Sequence, residues 1–317
     1  MLDTAFYLML NMSLTTCFVI AALLAVRLIR PLPRRVVYPL WALAFFRLAM
    51  PFSPPTGWSL FNFTGGLVKR LITVETITQE WMPVPRAGDW SAMNILGAAE
   101  TYKPVTYKTE SLRRVFTVGA HIWIIVAAAA LLAAAVLYTL TRRELKKAEP
   151  IGDRLYRSDM LLSPVLAGVF RPKIILPPSL DPDSPEGLMV LAHEEFHRHR
   201  RDNLWRAAAI VIACLHWFNP LVWVMLKMFF SDMERSCDEA VIRRYDAAQR
   251  KTYAATLLRF AGDKRVLLST AFGRSGVKVR IVSVLNYKKL TVFGAVASAA
   301  FLLAVAAVLI TNPQFRG

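Results

Sequence analysis

Three long runs of apolar residues dominate the pattern along the chain. They are "AFYLMLNMSLTTCFVIAALLAV" from Ala5, "FTVGAHIWIIVAAAALLAAAVLYTL" from Phe116 and "LTVFGAVASAAFLLAVAAVLI" from Leu290. A helix needs about 20 apolar residues to cross a bilayer, so each run predicts a transmembrane helix. A fourth run, "VVYPLWALAFFRLAMPF" from Val36, is shorter and holds Pro39 and Arg47. It is assigned as a fourth span, with Arg47 close enough to one end to snorkel to the interface. One more stretch, Leu204 to Phe230, is apolar but broken by "HWFNP" at His216–Pro220. Proline cannot continue a helix without disrupting it. The two arms of about a dozen residues are each too short to cross. The pattern predicts a helical hairpin that dips into the inner leaflet and returns, with a single kinked span as the alternative.

Polar positions orient these elements. "RLIRPLPRR", "TRRELKK" and "NYKK" border the spans and are rich in Lys and Arg, which places all three on the cytoplasmic side. Both termini and residues 53–115 then lie outside. The expected organisation is two transmembrane helices joined by a basic loop over 1–52, an extracytoplasmic loop over 53–115 and a third span over 116–140. A cytoplasmic domain over 141–289 contains the hairpin 204–230, and a fourth span covers 290–311. Composition agrees: the 317 residues are 55% hydrophobic and only 19% charged, too apolar for an ordinary soluble domain. The formal charge of +17 needs no nucleic acid to explain it, because most of the lysines and arginines fall in the cytoplasmic block. Cys17, Cys214 and Cys237 are far apart and imply no disulfide framework. The first run lacks a basic leader and a cleavage site, so a signal peptide is not expected.

Within the polar block, Lys173-Ile174-Ile175-Leu176 is flanked by prolines and reads as a short strand at a sheet edge. Asp183-Ser184-Pro185-Glu186 reads as a helix start. The helix that follows carries "HEEFH", His193 to His197. His193 and His197 lie about 40° apart round a helix, so two imidazoles one turn apart can share one metal ion. Glu194 stands one residue round, where a carboxylate can take a proton from water activated by that metal. The competing reading is a charged patch on an ordinary helix. His199 points elsewhere and is expected to face solvent. A catalytic zinc usually has a third protein ligand. "SDMERSCDEAVIRRY" offers Glu234 as that ligand, and Asp238, one turn on, as a carboxylate that orients a ligand histidine. A solvated acidic face is the alternative. Glu234 can meet the histidines only if both flanks of 204–230 return to the same side.

HEEFH, "ERSCDEAV", "GVFRPKIILP" and "HWFNPLVW", in this order among the spans, resemble the membrane metallopeptidases of beta-lactam-responsive signal transducers over roughly 1–311. These are gluzincin-type zinc enzymes, similar in active-site logic to membrane CAAX-type proteases. The resemblance implies a mainly α, polytopic membrane protein with four transmembrane helices, a membrane-dipping hairpin and a gluzincin-type zinc domain with a short β-sheet. It implies Zn²⁺ held by His193, His197 and Glu234, with Glu194 as general base. Lys173, Ile174, Ile175 and Leu176 would be an edge for an extended substrate. It further implies an inner-membrane enzyme that answers an outside signal by cleaving a cytoplasmic repressor or itself. Phe272, Gly273, Arg274 and Ser275 form a candidate self-cleavage loop, or else an ordinary linker. Membrane lipid and a homodimer through the small residues of "GAVASAA" are expected partners, and nucleic acid is not. The antibiotic-sensing members carry a penicillin-binding domain after the last span. This sequence stops at "TNPQFRG", so covalent beta-lactam sensing is not expected of these residues. Two other functions fit the motifs: a non-proteolytic transducer with a structural zinc clip, and a quality-control protease of broader range. Tyr245 or a neighbouring arginine is a candidate to steady an oxyanion.

Overall fold

A computed structural model describes residues 2–29, 32–60, 91–92, 110–260, 276–289 and 291–313. The candidate self-cleavage loop at 272–275 and most of the 53–115 segment lie outside the described residues. The chain is mainly helical. Its helices are α1 (Leu2–Leu28), α2 (Arg34–Ala49), α3 (Glu110–Leu145), α4 (Pro185–Arg200), α5 (Asp202–Leu215), α6 (Pro220–Val241), α7 (Ala247–Arg259), α8 (Val277–Leu285) and α9 (Val292–Ile310). Between α3 and α4 lies a small sheet of β1 (Glu149–Gly152), β2 (Leu155–Arg157), β3 (Val165–Ala167) and β4 (Lys173–Leu176).

Among the described residues, three helices are long and apolar enough to cross a membrane: Ala5–Leu28, Arg114–Leu145 and Phe293–Ile310. The second and third present apolar side chains outward, including Ile122, Ile125, Leu132, Phe293 and Leu303. Unpaired apolar faces of this extent suit a hydrocarbon surrounding. The fourth expected span, α2, has only 16 residues. It is instead the centre of the helical core. Leu40, Trp41, Ala44 and Leu48 pack against Val19, Ile20 and Leu23 of α1 and Val222, Met225, Leu226 and Phe229 of α6.

Arg47 departs from expectation. It does not snorkel; it is 3% exposed. Its guanidinium donates to the carbonyls of Leu309 (3.2 Å) and Thr311 (2.6 Å) at the end of α9. The last turn of a helix leaves carbonyls without intrahelical partners, and Arg47 supplies donors for them inside the core.

The break at 216–219 is a helical hairpin. Asn219 caps α6 by accepting from the Leu221 amide, and Pro220 opens the helix. Proline is favoured there because its missing N–H would have had no partner. The turn is fastened on three sides. Asn219 Nδ2 donates to the Ser13 hydroxyl (2.8 Å), His216 Nε2 pairs with the Leu48 carbonyl (3.0 Å), and Trp123 donates to the Leu215 carbonyl (2.8 Å). The tip therefore lies beside the far end of α2, about 21 Å of helix rise from Arg34. The second arm, α6, stays helical past Phe230 as far as Val241.

The sheet order is β1-β2-β4-β3, with β2 and β4 parallel and the other pairs antiparallel. The edge assignment for Lys173–Leu176 is therefore corrected: β4 is interior, paired on both sides. Ile174, Ile175 and Leu176 are buried, which a doubly covered strand requires and an edge does not. The flanking prolines end the strand without occupying a ladder position. The edges are β1 and β3.

Candidate metal centre

The centre is built from α4, α6, α7 and α8. Ser184 caps α4 by accepting from the Gly187 amide at 3.0 Å, with Pro185 at the first helical position. The helix ends at Arg201, whose left-handed conformation (φ 58°) lets α5 start at the next residue. On α4, His193 and His197 are buried and turn inward. His199 is exposed, as its angular position requires.

The two Nε2 atoms face each other at 3.1 Å. Two nitrogens bound tetrahedrally to one zinc at normal bond lengths stand about 3.3 Å apart. Glu234 on α6 lies in front of both, with carboxylate oxygens 3.6 Å from His193 Nε2 and 3.7 Å from His197 Nε2. The hairpin makes this meeting possible by returning α6 to the side of α4. Arg206 (2.6 Å) and Arg280 (3.1 Å) hold the Glu234 carboxylate in place.

The other ring nitrogens are fixed as well. His197 Nδ1 is bonded to the buried Asp202 carboxylate, at the first position of α5. Arg200 clamps Asp202 from the other side at 2.7 and 2.6 Å. His193 Nδ1 lies 2.9 Å from the Tyr253 hydroxyl, which donates to Asp238 at 2.8 Å. Asp238 Oδ1 is 3.5 Å from the same nitrogen, so its hold on His193 runs through Tyr253. Arg280 clamps Asp238 with two bonds of 2.7 Å. Since the hydroxyl gives its one hydrogen to Asp238, it accepts from Nδ1–H of His193. Both rings then carry hydrogen on Nδ1, which leaves the two facing Nε2 atoms as the positions a metal ion would take once it displaces any proton there. This is the tautomer that metal ligation needs, so the donor set fits a metal ion.

Cys237 is the other neighbour. His193, His197 and Cys237 are all buried, with ligand atoms within 4.8 Å of one another. Its sulfur sits 3.3 Å from His193 Nδ1 and 3.4 Å from the His193 carbonyl. It also interacts with the His197 ring, so both histidines face it.

The electrostatics favour a cation. Burial alone would lower the affinity of His193 for a proton. Cys237 and Glu234 outweigh it and raise the pKa to about 9. Burial alone would raise that of Glu234, but His197 and Arg280 hold its carboxyl well below the usual range.

The centre opens into a cleft of about 740 Å³. Glu194 lines it together with both histidines and Glu234. Its upper wall is the edge strand β3, continued by Gly168 and Phe170. Asn203 donates to the Leu166 and Gly168 carbonyls at 2.8 Å each, which ties this edge to α5. Tyr245 does not line the cleft, whereas Tyr253 and Arg280 do.

A buried pair of histidines faces a carboxylate in an open cleft, in a chain with three helices long and apolar enough to cross a membrane. The class these features define is a helical protein with a side-chain cluster able to hold a metal ion. The family model described as BlaR1 peptidase M56 matches residues 7–284, and the chain belongs to that family. It is 34% identical over 168 residues to the regulatory protein BlaR1 of Bacillus licheniformis, covering 50% of this chain and 28% of that protein. It is 23% identical over 99 residues to the methicillin resistance mecR1 protein of Staphylococcus aureus, covering 31% of this chain and 17% of that one. The matches thus span less than a third of these relatives.

Proposed function

We propose that this chain is a membrane-embedded zinc endopeptidase that cleaves a cytoplasmic repressor, or itself, in response to an extracytoplasmic signal. The observation that carries this reading is the convergence of both Nε2 atoms with Glu234 at the floor of the cleft that Glu194 lines. His193, His197 and Glu234 are the ligands. Glu234 is preferred over Cys237 because its oxygens stand before both Nε2 atoms, whereas the Cys237 sulfur approaches His193 at Nδ1. Bound zinc supplies Lewis acidity at a peptide carbonyl and lowers the pKa of water. Glu194, which lines the cleft, would accept a proton from the attacking water and return it to the leaving amine. Asp202 and the Tyr253–Asp238 pair keep the two imidazoles oriented. An extended peptide would enter the cleft beside β3, whose residues line it. The active site lies on the cytoplasmic side, with α2 counted as a fourth, core-lining crossing.

The test is zinc per chain in detergent-purified protein. Wild type should hold about one zinc, since three protein ligands make one site. Glu234→Ala should hold much less, and Glu194→Gln should keep zinc while losing cleavage of a peptide substrate. Equal zinc in wild type and Glu234→Ala would remove Glu234 from the site and favour a structural clip of His193, His197 and Cys237. Cleavage surviving in Glu194→Gln would remove the assigned base.

A further inference from the structure

A second cavity, of about 910 Å³, opens on a different face of α4, reached through Ala192 and Phe196. It runs between α2, α4, α5 and α6 and has two unlike ends. One wall is apolar: Pro39 and Ala42 of α2 are exposed there, backed by the buried rings of Phe45 and of Phe229 on α6. The mouth is basic, with Arg35, Arg243 and Arg244. Among the described residues, none that lines it is acidic. Arg243 and Arg244 are exposed and have no ion-pair partner among the described residues. Arg200, also in the wall, is already committed to Asp202 and stacks on Tyr38 at 4.3 Å.

The level of this mouth relative to a bilayer follows from α1. Arg34 donates to the Arg27 carbonyl at 3.1 Å, so the start of α2 lies beside the basic end of the α1 candidate span. Arg35 is then at the interface. Phe45 stands ten residues further, about 15 Å along the helix. Half of a hydrocarbon core is also about 15 Å. Trp205, 43% exposed at the groove, supplies the amphipathic ring typical of that depth.

We propose that this groove is a binding site for an anionic phospholipid, with its phosphate at Arg35, Arg243 and Arg244 and one acyl chain along the α2–α6 wall. A free phosphate would leave the apolar wall bare. A neutral lipid would cover the wall and leave the arginines without a counter-charge. Guanidinium groups suit phosphate because they donate in pairs. Basic pockets between membrane helices on the inner side are where lipid headgroups are recognised. The site reaches the metal centre through two side chains. Arg200 in its wall holds Asp202, and Asp202 holds His197. The proposal rests on the membrane placement of α1 and α2, not on the peptidase activity.

The test is native mass spectrometry of the full chain, with dioleoylphosphatidylglycerol and dioleoylphosphatidylcholine offered in equal amounts. Wild type should retain one phosphatidylglycerol with a preference on the order of tenfold, the scale expected from several basic residues. The double variant Arg243→Ala, Arg244→Ala should lose the preference. Ala42→Trp should block the wall and lose both lipids, with melting temperature confirming that each variant is folded. Inorganic phosphate should not displace the bound lipid. Equal retention of the two lipids by wild type would overturn the proposal, as would retention unchanged in both variants. Displacement by phosphate would do so too, by reducing the site to an anion site.

Discussion

Asp202 sets the proton on His197, and it was invisible as such in the sequence. "HRHRRD" reads as a polar run, and only the left-handed turn at Arg201 brings its last residue back under the ligand ring. Asp202→Ala should lower metal affinity about 10- to 100-fold, the usual cost of losing a carboxylate behind a ligand histidine; a zinc competition titration measures it. The pairing of His193 with His197 was legible, because helical spacing alone puts them on one face. Their meeting with Glu234 was legible once a hairpin was assumed. Tyr253 and Arg280 were not, since they arrive from α7 and α8 with no motif to announce them. A pH dependence follows from His193. Its pKa in the metal-free protein is raised to about 9, against about 6.5 in the unfolded chain. The imidazolium therefore stabilises the metal-free fold below pH 6.5, and this contribution is lost as pH rises through 9. Zinc has to displace that proton. Its apparent affinity should increase from pH 6.5 to 9, with proton release on binding; an affinity flat over that range would contradict the assignment.

Elements were easier to find than to place. The start of α4 was readable from Ser184 and Pro185, but Gly187 adds a constraint that no periodicity carries. A Cβ there would collide with the Asp181 carbonyl oxygen. Gly187→Ala should cost about 1–3 kcal/mol, as overpacking generally does, and a thermal melt would record it as a lowered midpoint. Lys173–Leu176 shows the opposite failure. Its apolar run and flanking prolines identify a strand, but three buried side chains in a row mark an interior one. β3 is the edge beside the cleft, and its sequence "VLA" is too short to signal anything. Asn219→Ala should destabilise the hairpin by about 1 kcal/mol through the lost cap, and further through the lost bonds to Ser13. A melt with and without a compensating Asn219→Asp, which keeps the cap alone, separates the two contributions.

At the scale of the molecule, three runs announced themselves by length, while α2 needed its neighbours to be understood. It is short and carries a buried arginine because it is the axis round which α1, α6 and α9 pack. The orientation deduced from basic loops yields a direct check. Arg259 is exposed on α7, and a cysteine placed there by Arg259→Cys should react with a membrane-impermeant thiol reagent only after the inner face is opened. Labelling of intact cells would invert the topology.

The position of Arg47 has a mechanical consequence. At one end, α2 grips the final carbonyls of α9 through Arg47. At the other, the backbone amides of Arg34 and Arg35 bind the Glu239 carboxylate at 2.9 and 3.1 Å. Glu239 follows Asp238 on the helix that also bears Glu234. A stiff rod pinned at both ends cannot absorb displacement. A tug on residues 309–311 should therefore either break a buried bond or shift the end of α6 that bears Glu234, as a connecting rod would.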